Sequence, residues 1–162
     1  MKSRLRLCVL IVITCAVTAQ AQEIERAISC PRGTVQVVFK NGKNTTVAEE
    51  RDQVDHGEFI ASRDGHAVGW TEMFPNCCTS YPIPLVVTIY RNGHVRRFRS
   101  GMMIYQWQFW KDGVQIAFCS GTVHSDRGVT CELHDVASRR TLASYEGMPN
   151  DQSPDWARGL QR

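Results

Sequence analysis

Apolar residues in this chain recur at every second position over short stretches, and turn dipeptides close those stretches. Residues 34–40 (TVQVVFK) run into Asn41-Gly42, residues 66–71 form a short run around Val68 and Trp70, and residues 84–90 end at Arg91-Asn92-Gly93 before 95–99 returns. Asn-Gly between two such runs is a hairpin signal, because both turn positions must tolerate positive φ. No segment sustains a 3.6-residue period. The pattern restricts the chain to an antiparallel all-β fold.

The clearest strand pair lies further on. Met103, Tyr105, Trp107 and Phe109 alternate with Ile104, Gln106, Gln108 and Trp110, then Lys111-Asp112-Gly113 turns the chain and Val114, Ile116 and Phe118 line the return. Both faces of 103–110 carry large apolar groups, which predicts a central strand covered on two sides. The aromatic set Trp70, Tyr105, Trp107, Phe109, Trp110 and Phe118 is therefore expected in the core. Residues 129–135 and 140–146 read as two further strands. A short helix is expected over 47–54, and a second over about 154–160. Ser153-Pro154-Asp155 opens the second with an N-cap side chain, proline at the first helical position and an acid facing the helix dipole. That tail helix can dock Trp156 onto a sheet.

A repeat underlies these runs. Asp64-Gly65-His66-Ala67-Val68-Gly69-Trp70 aligns with Asp112-Gly113-Val114-Gln115-Ile116-Ala117-Phe118 at an offset of 48 residues, and the strands from Leu85 to Phe98 match those from Val129 to Tyr145. A period of this length with four strands per unit is typical of β-propeller blades. Ser62-Arg63-Asp64-Gly65 with Ala67-Val68-Gly69-Trp70, Asp112-Gly113 with Ile116-Ala117-Phe118, and Leu133-His134-Asp135 resemble the TolB-type, WD-repeat-like propeller units of exported bacterial proteins. An arginine stands where that family has proline. Cys77-Cys78-Thr79-Ser80-Tyr81-Pro82 also resembles small exported proteins carrying the same six residues. The resemblance implies two blade-like units, about 58–100 and 101–147, and two blades cannot close a ring. The expected fold is thus a single small β domain over 22–162, in which the two units pack face to face and a short C-terminal helix follows.

The N-terminus carries an export pattern. Met1 to Arg6 form a basic start, Leu7 to Ala19 an apolar stretch of thirteen residues, and Ala19-Gln20-Ala21 a small-residue cleavage site. Thirteen residues are too few for a bilayer, which needs about 20. Residues 1–21 therefore read as a signal peptide, leaving no membrane span after cleavage and a periplasmic or secreted protein. Removing Lys2, Arg4 and Arg6 from the 19 basic residues leaves 16 against 16 acidic ones. That balance gives no electrostatic case for a nucleic-acid partner.

Export makes the remaining cysteines disulfide candidates: Cys30, Cys77, Cys78, Cys119 and Cys131. Cys119 and Cys131 fall on consecutive strands and can staple that hairpin. Cys30 can pair with Cys77 or Cys78, or the adjacent Cys77 and Cys78 can form a strained vicinal bond with a redox or sensing role. Phe74, Pro75, Tyr81, Pro82 and Pro84 stiffen the loop around that pair and mark an interaction surface, as does the loop over 120–128. The five histidines His56, His66, His94, His124 and His134 lack metal-ligand spacing, so no metal is expected. His124-Ser125-Asp126, His134-Asp135 and Ser120 lack a nucleophile elbow, and no Gly-rich phosphate loop or cofactor motif occurs. Arg91, Arg96, Arg97 and Arg99 form a basic patch suited to an anionic partner or to guarding an edge strand. Asn44-Thr45-Thr46 is a glycosylation sequon.

The expected function is a non-enzymatic binding or interaction module of the cell envelope, with a protein or small-molecule partner and a monomer favoured over an oligomer. The alternative is a thiol-dependent redox or sensing protein using Cys77 and Cys78.

Overall fold

The computed structural model describes residues 22–77, 80–122 and 128–160. The signal-peptide reading of 1–21 falls outside them, as do Cys78, Thr79, His124, Ser125 and Asp126. Among the described residues three antiparallel sheets form. The first contains β1 (Ile24–Ser29), β2 (Val35–Phe39) and β3 (Asn44–Val47) in that order. The middle sheet contains β4 (Asp55–His56), β5 (Ile60–Ala61), β6 (Ala67–Phe74), β7 (Ile83–Arg91) and β8 (His94–Arg99), ordered β4-β6-β7-β8 with β5 also paired to β6. The third contains β9 (Met103–Trp110), β10 (Gln115–Gly121), β11 (Thr130–Asp135) and β12 (Thr141–Glu146), ordered β12-β11-β10-β9. One short helix, α1 (Asp155–Arg158), follows. The all-β class and the C-terminal helix are those the sequence implies.

The sheets stack in layers, and strand alternation explains how. Along β6, Val68 and Trp70 point to the first sheet and pack with Val35, Val37 and Phe39. Ala67 points the other way, into a core with Ile89, Trp107, Ile116 and Phe118 between the middle and third sheets. A strand covered on both faces reads as a nearly unbroken buried run, and seven of the eight β6 residues are buried. Gly69 leaves room for this core: a Cβ there would lie 2.5 Å from Ile89 Cδ1 and 2.6 Å from Trp107 Cη2. The outer face of the third sheet carries Ala117, Cys119, Cys131 and Leu133 and is capped by Trp156, Ala157 and Leu160.

Three local expectations are corrected. Residues 47–54 form no helix: Val47 ends β3, and 48–54 is an irregular crossing with a turn at Arg51-Asp52. The strand 103–110 is covered on both faces but lies at the edge of its sheet. Its second apolar face meets the C-terminal tail, where Gln108 Nε2 donates to the Trp156 carbonyl at 2.8 Å. Ser153 does not cap α1; its hydroxyl accepts from the Asn150 N–H at 2.9 Å and closes the preceding turn, while Pro154 takes the cap position.

Candidate functional site

Register places tight turns at one end of the sheets and long connections at the other. The turn end holds 40–43, 62–66, 91–94, 111–114 and 136–140, where positive φ at Gly42, Gly65, Asn92, Gly93, Lys111, Asp112, Gly113 and Arg139 reverses the chain within a few residues. The loop end holds 30–34, 48–54, 75–82, 100–102 and the connection from β10 to β11. Both loops singled out as interaction surfaces therefore leave from the same end.

A cleft of about 310 Å³ opens where the β5 side of the middle sheet faces the free edge of β9. Thr71 and Pro84 line it from the root of the 75–82 loop, Ile104, Gln106 and Trp107 from β9, Glu58 from the β4–β5 link, and Gly159 and Leu160 from the tail. The Tyr105 hydroxyl donates to the Thr122 carbonyl and so ties the cleft wall to the second loop. Gln106 Oε1 is buried and meets no donor among the described residues. The lining joins a carboxylate, a buried hydroxyl and an unsatisfied amide oxygen to apolar walls, the composition of a small-ligand site at the lower end of the usual size range.

The loop residues divide by role. Tyr81 is 53 % exposed and Pro75 is exposed, Pro82 and Pro84 are half-buried, and Phe74 is buried. Phe74 is thus an anchor, not a contact residue: the Arg99 guanidinium carbon lies 4.9 Å above its ring centroid.

Each arginine of the expected basic patch is engaged inside the molecule. Arg91 Nη2 donates to Asp64 Oδ2 at 2.8 Å and its Nη1 to the Asp112 carbonyl at 3.2 Å. Arg96 bonds the Ala137 and Val95 carbonyls, Arg97 bonds Glu72, and Arg99 bonds Glu50. The patch holds layers together more than it offers free charge.

Cys119 and Cys131 are register partners across β10 and β11 and form a disulfide. The Cys30 thiol is free and half-buried, 3.8 Å from the Ile28 carbonyl oxygen, and Cys77 is exposed. His134 stacks on Phe118 with ring centroids 5.1 Å apart and lies 5.3 Å from the Phe98 ring. Burial holds it below the ordinary histidine range despite Glu132 at 3.5 Å. Its neighbour Asp135 accepts from the Ser138 hydroxyl and N–H, which stabilise its ionised form and its turn. His134 serves as a core ring and Asp135 as a turn acceptor.

Sequence reasoning missed Glu58, Thr71 and Gln106, which come together only through sheet packing. It also missed Glu50 and Glu72, although Trp70-x-Glu72-x-Phe74 places a carboxyl on an apolar strand face. No protein-family model matches this chain, and no curated protein does either.

Proposed function

We propose that the protein is an exported, non-enzymatic binding module of the cell envelope that recognises its partner at the loop end. The cleft of about 310 Å³ between the middle sheet and the free edge of β9, bordered by Pro84 beside the first loop and by Tyr105, which bonds Thr122 of the second, carries this reading. Rigid paired strands hold its walls, and loops on such scaffolds are where recognition residues concentrate. The polar lining suits a small polar ligand, or a polar side chain of a protein partner, better than a greasy one. The antiparallel meanders over 55–99 and 103–146, with Arg91 joining their equivalent Asp-Gly turns, are in keeping with two blade-like repeat units. Among the described residues no helix is long and apolar enough to cross a membrane.

The test is a titration of isotope-labelled mature protein, followed by NMR, with small polar compounds, short peptides and soluble envelope fractions. Shift changes centred on Thr71, Gln106 and Tyr81, lost in Thr71→Val, Gln106→Leu and Tyr81→Ala, are expected. Perturbation confined to the turn end would remove the reading. Thiol alkylation and peptide mapping of the same material address the redox alternative, which requires a fast-reacting thiol or a readily reduced bond at Cys77 and Cys78.

A further inference from the structure

Glu72 lies on β6 between the first and middle sheets, its side chain 1 % exposed. Its Oε1 accepts from the Thr88 hydroxyl at 2.7 Å and from Arg97 Nε at 3.0 Å. Arg97 also reaches out of the layer, donating from Nη2 to the Ala48 carbonyl at 2.8 Å. Glu50, on the 48–54 crossing, accepts from Arg99 Nη2 at 2.6 Å through its own Oε1. The second oxygens of both acids are buried, and no N–H hydrogen bond from the described residues reaches either. Arg97 Nε lies 3.0 Å from Glu72 Oε1 and 3.9 Å from Glu50 Oε2, so one guanidinium brings the two buried carboxyl groups together. Two carboxylates offer only acceptors, so they can bond each other only while one of them keeps a proton.

We propose that Glu50 and Glu72 share a single proton that latches the 48–54 crossing onto the middle sheet beneath Phe74, and that rising pH opens the latch. In the closed state the Glu72 carboxyl O–H donates to the Glu50 carboxylate. On opening, that proton passes to solvent and leaves two carboxylates. Arg97, whose Nε lies 3.0 Å from Glu72 and 3.9 Å from Glu50, and Arg99 still balance their charge, but the carboxyl-to-carboxylate bond is gone. The crossing is then held by Arg97 on Ala48, by Arg99 on Glu50, and by Gln53, whose side chain bonds Gly33 and Asp55 carbonyls.

The surroundings agree on where the proton sits. Burial raises the Glu72 carboxyl, and its bond to Glu50 adds to this against Thr88 and Arg97. Burial also works to raise Glu50, but the Arg99 bond, the Glu72 bond and the charges of Arg99 and Arg97 outweigh it and hold Glu50 low. Facing the pair are Arg97 and Arg99 from β8, the neutral Thr88 from β7, and His56 from β4, which pairs with Glu72 in register. Burial holds His56 below its ordinary value, so its own titration falls on the acid side. Glu49 turns away toward Gly33.

The latch does not depend on the binding reading, and its test uses no ligand. Hydrogen exchange of the mature protein is followed from mildly acidic to mildly alkaline solution and corrected for intrinsic rates. Protection of the 48–54 amides should fall, by at most about tenfold per pH unit, as pH rises from the ordinary glutamate range up through the raised Glu72 titration, and level off above it. Glu72→Gln carries a permanent N–H donor toward Glu50 and should stay protected throughout, whereas Glu50→Ala should be unprotected at every pH. Wild-type protection that ignores pH overturns the proposal, as does a pH response that survives in Glu72→Gln or disappears in His56→Gln. A carboxyl-carbon NMR titration of the wild type needs no variant. One acid protonated above the ordinary range and coupled to a second is expected, and two independent ordinary titrations overturn the latch.

Discussion

Arg91 donates to Asp64 through Nη2 at 2.8 Å, and its other nitrogen reaches the Asp112 carbonyl at 3.2 Å. Asp64 and Asp112 occupy equivalent places in the 48-residue repeat, so one guanidinium joins the two Asp-Gly turns and, through them, the middle and third sheets. Asp64 is held from the other side by the Ser62 hydroxyl at 2.6 Å and the His66 N–H at 3.1 Å. Gly113 completes the junction: a Cβ there would lie 2.7 Å from the Ser62 Cβ and 2.9 Å from Arg91 Nη1, at a φ of +78°.

The first prediction concerns acid. Burial opposes ionisation of Asp64, but Arg91, Ser62 and His66 bring its pKa from 3.8 to about 2. Because the folded value lies below the unfolded one, the stabilisation is complete above the unfolded value. It is lost as pH falls from near 4 through about 2. At neutral pH the group contributes at most roughly 2 kcal/mol, less where solvent screens the partly exposed pair. Asp64→Asn should therefore lower the urea midpoint at neutral pH, and the gap to wild type should close as the solution is acidified.

A methyl group at Gly69 should be expensive. The Cβ of Gly69→Ala would lie 2.5 Å from Ile89 Cδ1, 2.6 Å from Trp107 Cη2 and 3.1 Å from the Thr88 carbonyl. The first two are side chains in a filled core, and the third is backbone in the neighbouring strand. Overpacking of this kind costs about 1–3 kcal/mol. Gly101→Ala, whose Cβ meets nothing within 4 Å, should be close to neutral. Thermal melts of the two variants make the comparison.

The Cys119–Cys131 bond closes a segment of sequence separation 12 between register partners. In the chain-entropy account a loop of that size contributes about 2–3 kcal/mol. The Cys119→Ala, Cys131→Ala double variant should melt correspondingly lower without reductant. Reductant should lower wild type toward the double variant and leave the variant itself unmoved. Equal shifts in both proteins would place the stabilisation elsewhere.

Alternation made β7, β9 and β10 legible, because each presents apolar groups to a neighbouring layer, and the turns at Asn92-Gly93 and Lys111-Asp112-Gly113, all at positive φ, marked where two of these strands end. The first sheet was harder. In β1 only Ile24 is buried, and β3 (NTTV) buries only Val47, so neither edge strand carries an apolar stripe. The expected helix over 47–54 is absent: Val47 is buried at the end of β3, whereas Val54 is 55 % exposed in the irregular crossing. The edge position of β9 was hidden for a different reason. Alternating apolar groups report covered faces, and they say nothing about whether a strand has two hydrogen-bonded neighbours.

The site was legible only in part. The proline-rich loop announced a stiff connection, and consecutive strands announced the disulfide. Glu58, Thr71, Gln106 and Leu160 are spread over more than a hundred positions and meet because β9 lies beside the β5 edge. No local pattern encodes that meeting. Phe74 looked like a contact residue because aromatic side chains beside prolines often are, but strand phase carries it inward under Arg99.

The last prediction uses the tail that covers β9. Trp156 is 9 % exposed and packs with Ala157 and Leu160 on the outer face of the third sheet. Its carbonyl accepts from Gln108, a bond that needs the helix in place. A helix of one turn has no stability of its own, so docking of this ring is what keeps α1 formed. Trp156→Ala should cost about 3–5 kcal/mol. It should also free Gly159 and Leu160 from the cleft wall, so exchange of the β9 amides should rise more than that of the β7 amides. Gln108→Leu, which removes the carbonyl contact but keeps the apolar packing, should show a smaller loss in the same direction. Equal exchange in β7 and β9 of Trp156→Ala would mean that the tail is not what protects this edge.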